Sequence, residues 1–251
     1  MYALRKYKKA FTLAEALITL IVLGIIAIES IPALIQSFQN TETTAKVKKY
    51  TSVLNQDIQL YAASNDCIGN LAGCDAFTGN ANPAGYQQMW DALKPYLRII
   101  KDCGTAASQG CYPPGVMYKL LNGSDYYVVD NSSYAKAQLA DGSSLRVGLY
   151  GGNCTTDYSR SNQTPLRYTC GYIGIDINGY KGPNQLGRDV FYWWITKAGT
   201  VIPVGTSDDS TYSAADGTPD CDPNNLSVAW ESPGAGRGCA ARILKENAVT
   251  Y

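Results

Sequence analysis

Four oxygen-bearing side chains, Asp176, Asn178, Asn184 and Asp189, fall in one stretch of the chain punctuated by glycine and proline. Hard cations such as calcium take roughly six to eight oxygen ligands, and alternating Asp/Asn with glycine lets a short loop wrap one. The stretch is therefore a candidate calcium site. It is not an EF-hand, because glycine stands at the fourth position of the loop and no bidentate glutamate closes it. The same residues also read as two turns, Asn178-Gly179 and Gly182-Pro183, with Arg188 neutralising an acid nearby. Both readings stand at this level.

Other chemistry is excluded by composition. The 251 residues include no histidine, which removes imidazole acid/base work, His-assisted nucleophiles and His-ligated zinc. The acids show no acid/base pairing, so no enzymatic activity is expected. With 21 basic and 21 acidic side chains the formal charge is zero, and no long basic block lies beyond the N-terminus. Nothing here has the electrostatic footprint of a nucleic-acid binder. The run Tyr192-Trp193-Trp194 invites a sugar-binding reading, but alternation on a central strand buries Trp193 or Trp194, so the core is the better reading. Tyrosines on loops suit glycans too, although no spacing singles out a site.

Eight cysteines, Cys67, Cys74, Cys103, Cys111, Cys154, Cys170, Cys221 and Cys239, all lie after residue 66 and none has CxxC spacing. An even number scattered through Gly-, Asn-, Ser- and Tyr-rich sequence points to disulfides formed outside the cytosol. Sequence alone fixes no connectivity. Locality gives neighbour pairs as the expectation: 67–74, 103–111, 154–170 and 221–239.

The N-terminus narrows the function. A leader, residues 1–10, carries Arg5, Lys6, Lys8 and Lys9 and no acid. Its removal leaves 17 basic against 21 acidic residues, a net of −4. Then come Phe11-Thr12-Leu13-Ala14-Glu15 and an apolar run, Ala16 to Ile35, whose only charge is Glu29. At about 1.5 Å per residue that run is long enough to cross a hydrocarbon core. The basic leader stays cytoplasmic, so the chain beyond the apolar run faces outward. A secretory signal cut near Ala33 and a plain membrane anchor are the ordinary readings. Neither has a use for Glu15, since an acid in a membrane segment costs up to about 3 kcal/mol unless it finds a partner.

Ala10 followed by Phe11-Thr12-Leu13-Ala14-Glu15 resembles the class III leader of type IV pilins and pseudopilins. The resemblance covers residues 5–35, with Gly24 and Pro32 where many bacterial pilins loosen the helix. Ala10 stands where that family more often has glycine. The resemblance implies cleavage by a prepilin peptidase between Ala10 and Phe11, N-methylation of Phe11, and pairing of Glu15 with the Phe11 amine of a neighbouring subunit. Two unit charges about 4 Å apart attract by about 4 kcal/mol at an effective dielectric near 20, before desolvation. The better-supported role is register, because a slipped helix leaves both charges bare. Pro32 removes a backbone donor, so the helix should kink or loosen there. Glu29 has no obvious partner. Some pseudopilin heads bind calcium, a resemblance that keeps the calcium reading of the Asp/Asn loop open without fixing its ligands.

The expected fold class is α+β, with a long N-terminal helix packed on an antiparallel head with disulfide-closed loops. Val47, Tyr50, Leu54, Ile58 and Tyr61 recur at helical spacing, which predicts one helix over residues 11–63, its part 11–35 spanning the membrane or packing in a filament core. Residues 64–251 form an extracytoplasmic head. A second helix is expected over 86–101, with Pro95 in its middle. Strands are expected at 126–129, on both sides of Asp141-Gly142, at 172–177, and as a hairpin of 191–196 with 200–204. One sheet face should rest on the helix and the other meet water or a loop.

The implied function is a structural subunit of a type IV pilus-like or pseudopilus filament. Its partners are other pilin or pseudopilin subunits, a prepilin peptidase and an inner-membrane assembly platform. It sits as a single-pass inner-membrane protein before assembly, and in a periplasmic or extracellular filament afterwards. The alternative is a membrane-tethered ligand-binding protein that never polymerises.

Overall fold

A computed structural model describes residues 12–132, 134–162 and 164–251. The chain divides into two units, Met1–Glu42 and Thr43–Tyr251, and helix α1, Leu13–Ser64, runs through both without a break. The helix therefore continues across Gly24 and Pro32, and ends within a residue of the position the periodicity indicates. Thr12 and Glu15 start it. The Glu15 Oε2 atom accepts from the Thr12 N–H (2.8 Å) and hydroxyl (2.9 Å), and Thr12 Oγ1 accepts from the Glu15 N–H (3.2 Å). This reciprocal capping box satisfies donors that a helix start leaves orphaned.

The first unit carries an exposed apolar surface, from Leu13 to Phe38. Its hydroxyls turn inward: Thr19 donates to the Ala16 carbonyl and Ser30 to that of Ile26. By length and composition α1 can cross a bilayer.

In the second unit, the predicted stripe Val47, Tyr50, Leu54, Ile58 and Tyr61 is the buried face of α1. It packs in one core with Leu145, Val147, Ile173, Ile175, Phe191, Trp193 and Ile195 from the sheet. That sheet has six strands, all antiparallel: β1 (Ile99–Gly104), β4 (Ala135–Leu139), β5 (Ser144–Leu149), β6 (Thr169–Asp176), β7 (Val190–Thr196) and β8 (Val201–Pro203), in this spatial order. A separate ribbon pairs β2 (Met117–Lys119) with β3 (Asp125–Val128). Polar ties fix α1 to the sheet. The Trp193 indole donates to Thr51 at 2.9 Å, and Lys46 donates to the Ile177 carbonyl at 2.8 Å. At the β4–β5 turn Asp141 accepts from Lys49 (2.5 Å), Tyr50 (2.7 Å) and the Ser143 hydroxyl (2.6 Å). Gly142 supplies the positive φ (86°) that this turn needs.

One expectation changes, one helix is new and one alternative is decided. The second helix, α2, is Pro83–Leu93, capped by the Asn82 side chain on the Gly85 N–H (2.9 Å). A single 3₁₀ turn, Lys94–Tyr96, carries Pro95 and ends the helical run, so Ile100 lies in β1 and not on a helix. A short C-terminal helix, α3 (Cys239–Glu246), buries Ala240 and Ile243. Of the two alternatives for the outer sheet face, the loop holds: Tyr172, Tyr192 and Trp194 are buried in a second cluster with Tyr112, Tyr118, Leu120 and Leu186 from the ribbon and loops. Trp193 and Trp194 thus both lie in the core, on opposite faces. The four disulfides are 67–74, 103–111, 154–170 and 221–239, the neighbour pairs.

Candidate functional site

The loop between β6 and β7 gathers all four predicted cation ligands. Asp176 ends β6 and Asp189 immediately precedes β7, so the antiparallel pairing of Asp176 with Val190 brings the two acids to one end of the hairpin. Asn178 reaches across, its Nδ2 3.2 Å from Asp189 Oδ2, while the Asn184 N–H donates to that same oxygen at 2.7 Å. The Ile177 N–H donates to the Asp189 carbonyl at 2.8 Å, closing the neck of the loop.

Both carboxylates are buried and heavily hydrogen-bonded. Asp176 accepts from Tyr118 (2.6 Å) and from the N–H groups of Gly179 (2.9 Å) and Asn178 (3.3 Å). Asp189 also accepts from the Gln185 N–H at 2.6 Å. Burial pushes both carboxyls above the usual carboxylate range, and the charge of Asp189 pushes Asp176 further. A carboxylate offers about four lone-pair sites, so each acid has little capacity left. The amide oxygens Asn178 Oδ1 and Asn184 Oδ1, by contrast, are buried with no hydrogen-bond partner. Orphaned acceptors of this kind are rare, and each is a place for a cation or a water. Among the described residues no three His, Cys, Asp or Glu side chains come together, so a cation here would lean on those amide oxygens. Tyr118 is the one contributor with no signal in the sequence to select it, because it comes from the separate ribbon.

The other predicted residues lie in the first unit. Ala10 and Phe11, the expected cleavage and N-methylation positions, fall outside the described residues. Glu15 is exposed in the first turn of α1, where Thr12 engages only its Oε2. The S/T-x-x-E pattern of a capping box was present in the sequence at Thr12-Leu13-Ala14-Glu15 as the signal for this second role. Gly24 has no neighbouring atom within 4 Å of the position a Cβ would take. In comparisons with protein-family models, with curated proteins and with solved structures, nothing matches the chain.

Proposed function

We propose that the chain is a structural subunit of a type IV pilus-like or pseudopilus filament. What supports this reading is one observation: a single 52-residue helix whose first part exposes a continuous apolar surface and whose last part is built into a disulfide-closed head. Such a surface has to be covered, first by lipid and then by the same surface of other subunits. In this account the leader is removed by a prepilin peptidase at Ala10–Phe11. Phe11 is N-methylated, and an inner-membrane platform draws the helix into the fibre core. Glu15, with Oε1 left over from the capping box, pairs with the Phe11 amine of a neighbour. Gly24 and Pro32 let the helix loosen as subunits pack.

The capping box makes the test sharper. Glu15→Gln keeps a residue that completes the box but removes the charge, whereas Glu15→Ala removes both. Both variants should fail to enter sheared filaments while remaining in the membrane. Wild-type incorporation of Glu15→Gln would overturn the charge-pair account. Mass spectrometry of N-terminal peptides should find methylated Phe11 in the sheared fraction. An intact leader, or a cut near Ala33, would overturn the filament reading and leave a tethered or secreted binding protein.

For the β6–β7 loop the proposed occupant is a calcium ion, on the strength of the two orphaned amide oxygens. It would be held by Asn178 and Asn184 with the remaining lone pairs of Asp176 and Asp189.

A further inference from the structure

The outer face of the sheet holds two guanidinium groups, one buried and one half-buried, that make no ion pair among the described residues. Arg146 on β5 is 2% exposed, and Arg237 lies in the loop before α3. Among the described residues the cations of the ion pairs are Lys49, Lys94, Lys119, Lys136 and Arg242, never these two. Asp130 bonds the Ser108 N–H and pairs at 3.5 Å with Lys136, the cross-strand neighbour of Arg146. Lys136 thus takes Asp130, and the other buried acids bordering the cluster, Asp176 and Asp209, are bonded by Tyr118 and Trp194 and make no ion pair with either guanidinium.

Aromatic rings surround both. The Arg146 guanidinium lies 5.1–5.7 Å from the ring centroids of Tyr127, Tyr134, Tyr172 and Tyr192. Arg237 lies 4.7–5.7 Å from those of Trp230, Tyr192, Tyr126 and Tyr212. Both guanidiniums are 5.1 Å from the same ring, Tyr192. The backbone is shaped for this. Arg146, Gly174 and Tyr192 form one row across β5, β6 and β7. A Cβ on Gly174 would come within 2.8 Å of the Tyr192 ring and 3.1 Å of Arg146 Nε, so only glycine leaves room for the guanidinium there.

Ring faces attract a cation, but they do not accept its in-plane N–H groups. Arg146 donates through Nη2 to the Tyr192 hydroxyl, and Arg237 through Nη2 to that of Tyr126. Arg146 Nε and Nη1 and Arg237 Nε are buried without an acceptor. Unmatched buried donors on a charged group are costly, and a guanidinium edge is shaped for the two oxygens of a carboxylate. The rim adds half-buried rings, Tyr126, Tyr127 and Tyr134, and an exposed one, Trp230. Rings offer flat apolar faces of the kind a pyranose stacks on, and a bare inorganic anion has no use for them.

We propose that this cluster is a binding site for a carboxylated saccharide, with the free edges of Arg146 and Arg237 taking its carboxylates and the rim rings taking its sugar faces. The accessible side of the cluster is that of Arg237, which is half-buried, and Trp230, which is exposed. The site lies wholly within the second unit and does not depend on whether the chain polymerises.

The test uses the full chain in detergent micelles, titrated with trigalacturonate, neutral maltotriose and inorganic phosphate while tryptophan fluorescence and heat are followed. Saturable binding of trigalacturonate is expected, with maltotriose weaker by about a hundredfold or more and phosphate a poor competitor. Arg237→Gln, at the more accessible guanidinium, should weaken trigalacturonate by about tenfold or more with an unchanged circular dichroism spectrum. Arg146→Lys keeps the charge but not the fork and should do the same. If Arg146→Lys does not fold, the wild-type ligand series and Arg237→Gln decide alone. Absence of saturable binding up to about 10 mM, equal affinity for maltotriose, equal competition by phosphate, or an unaffected Arg237→Gln would each overturn the proposal.

Discussion

The side-chain amide of Asn55 serves as a strand partner for Val201. Its Nδ2 donates to the Val201 carbonyl at 2.7 Å and its Oδ1 accepts from the Val201 N–H at 2.8 Å. β8 is an edge strand, and an unpaired edge invites other chains. Here α1 supplies both missing hydrogen bonds from one residue. Asn55→Ala should destabilise the head by about 2–4 kcal/mol, because a backbone donor and acceptor lose their partners together. Asn55→Asp keeps the acceptor but not the donor, and should lie between the two. Chemical denaturation of the three proteins checks the order.

Acid should loosen the helix from the β4–β5 turn. Burial alone would raise the Asp141 carboxyl, but hydrogen bonds from Lys49, Ser143 and Tyr50 outweigh it and hold it below the usual range. A carboxyl lowered on folding contributes stability above its unfolded value, about 3.9, and loses it as pH falls through the folded one. Asp141→Asn should therefore lower the melting temperature at neutral pH and flatten the acid limb of the stability curve.

Asp57 should act with the opposite sign. Burial raises its carboxyl to about 6 against the pull of Arg98. The folded chain then holds this proton between about pH 4 and 6 where the unfolded chain has released it, so stability falls as pH rises through that window. Asp57→Asn should be close to neutral near pH 4 and stabilising near pH 8. Thermal melts at the two pH values decide it, and equal effects at both would contradict the assignment.

Calcium should raise the melting temperature of the full chain over that in chelator, and magnesium should raise it less, because the loop offers oxygens without octahedral rigidity. Asn184→Ala should abolish the calcium increment. A wild-type increment in that variant would place the ion elsewhere, and no increment in the wild type would leave the loop a hydrogen-bonded turn.

Much of this arrangement was legible in the sequence, for identifiable reasons. The stripe from Val47 to Tyr61 repeats at helical period, and Asp141-Gly142 stands between two β-prone runs, so both local and tertiary forces ask for the same structure. The loop ligands are likewise close in sequence. The misread helix over 86–101 mixed two signals: Trp90 and Leu93 belong to α2, while Ile99 lies in β1 opposite Leu139 of β4 and Ile100 is exposed at the register shift beside it. The covered outer face was hidden for a different reason. Arg146 reads as an ordinary polar position in an alternating strand, and only its register opposite Gly174 and Tyr192 reveals that it is buried. The partnership of Tyr118 with Asp176 joins residues 58 apart and has no local signature.

The disulfides carry one more consequence. Their partners lie 7, 8, 16 and 18 residues apart, and each cysteine is bonded to the one next to it in order, so that no bridge spans another. A head that enters an oxidising compartment in sequence order, from Cys67 towards Cys239, can complete every bridge before the next pair of thiols arrives. The correct pattern is then also the earliest one available, and oxidation in order of synthesis needs no later reshuffling.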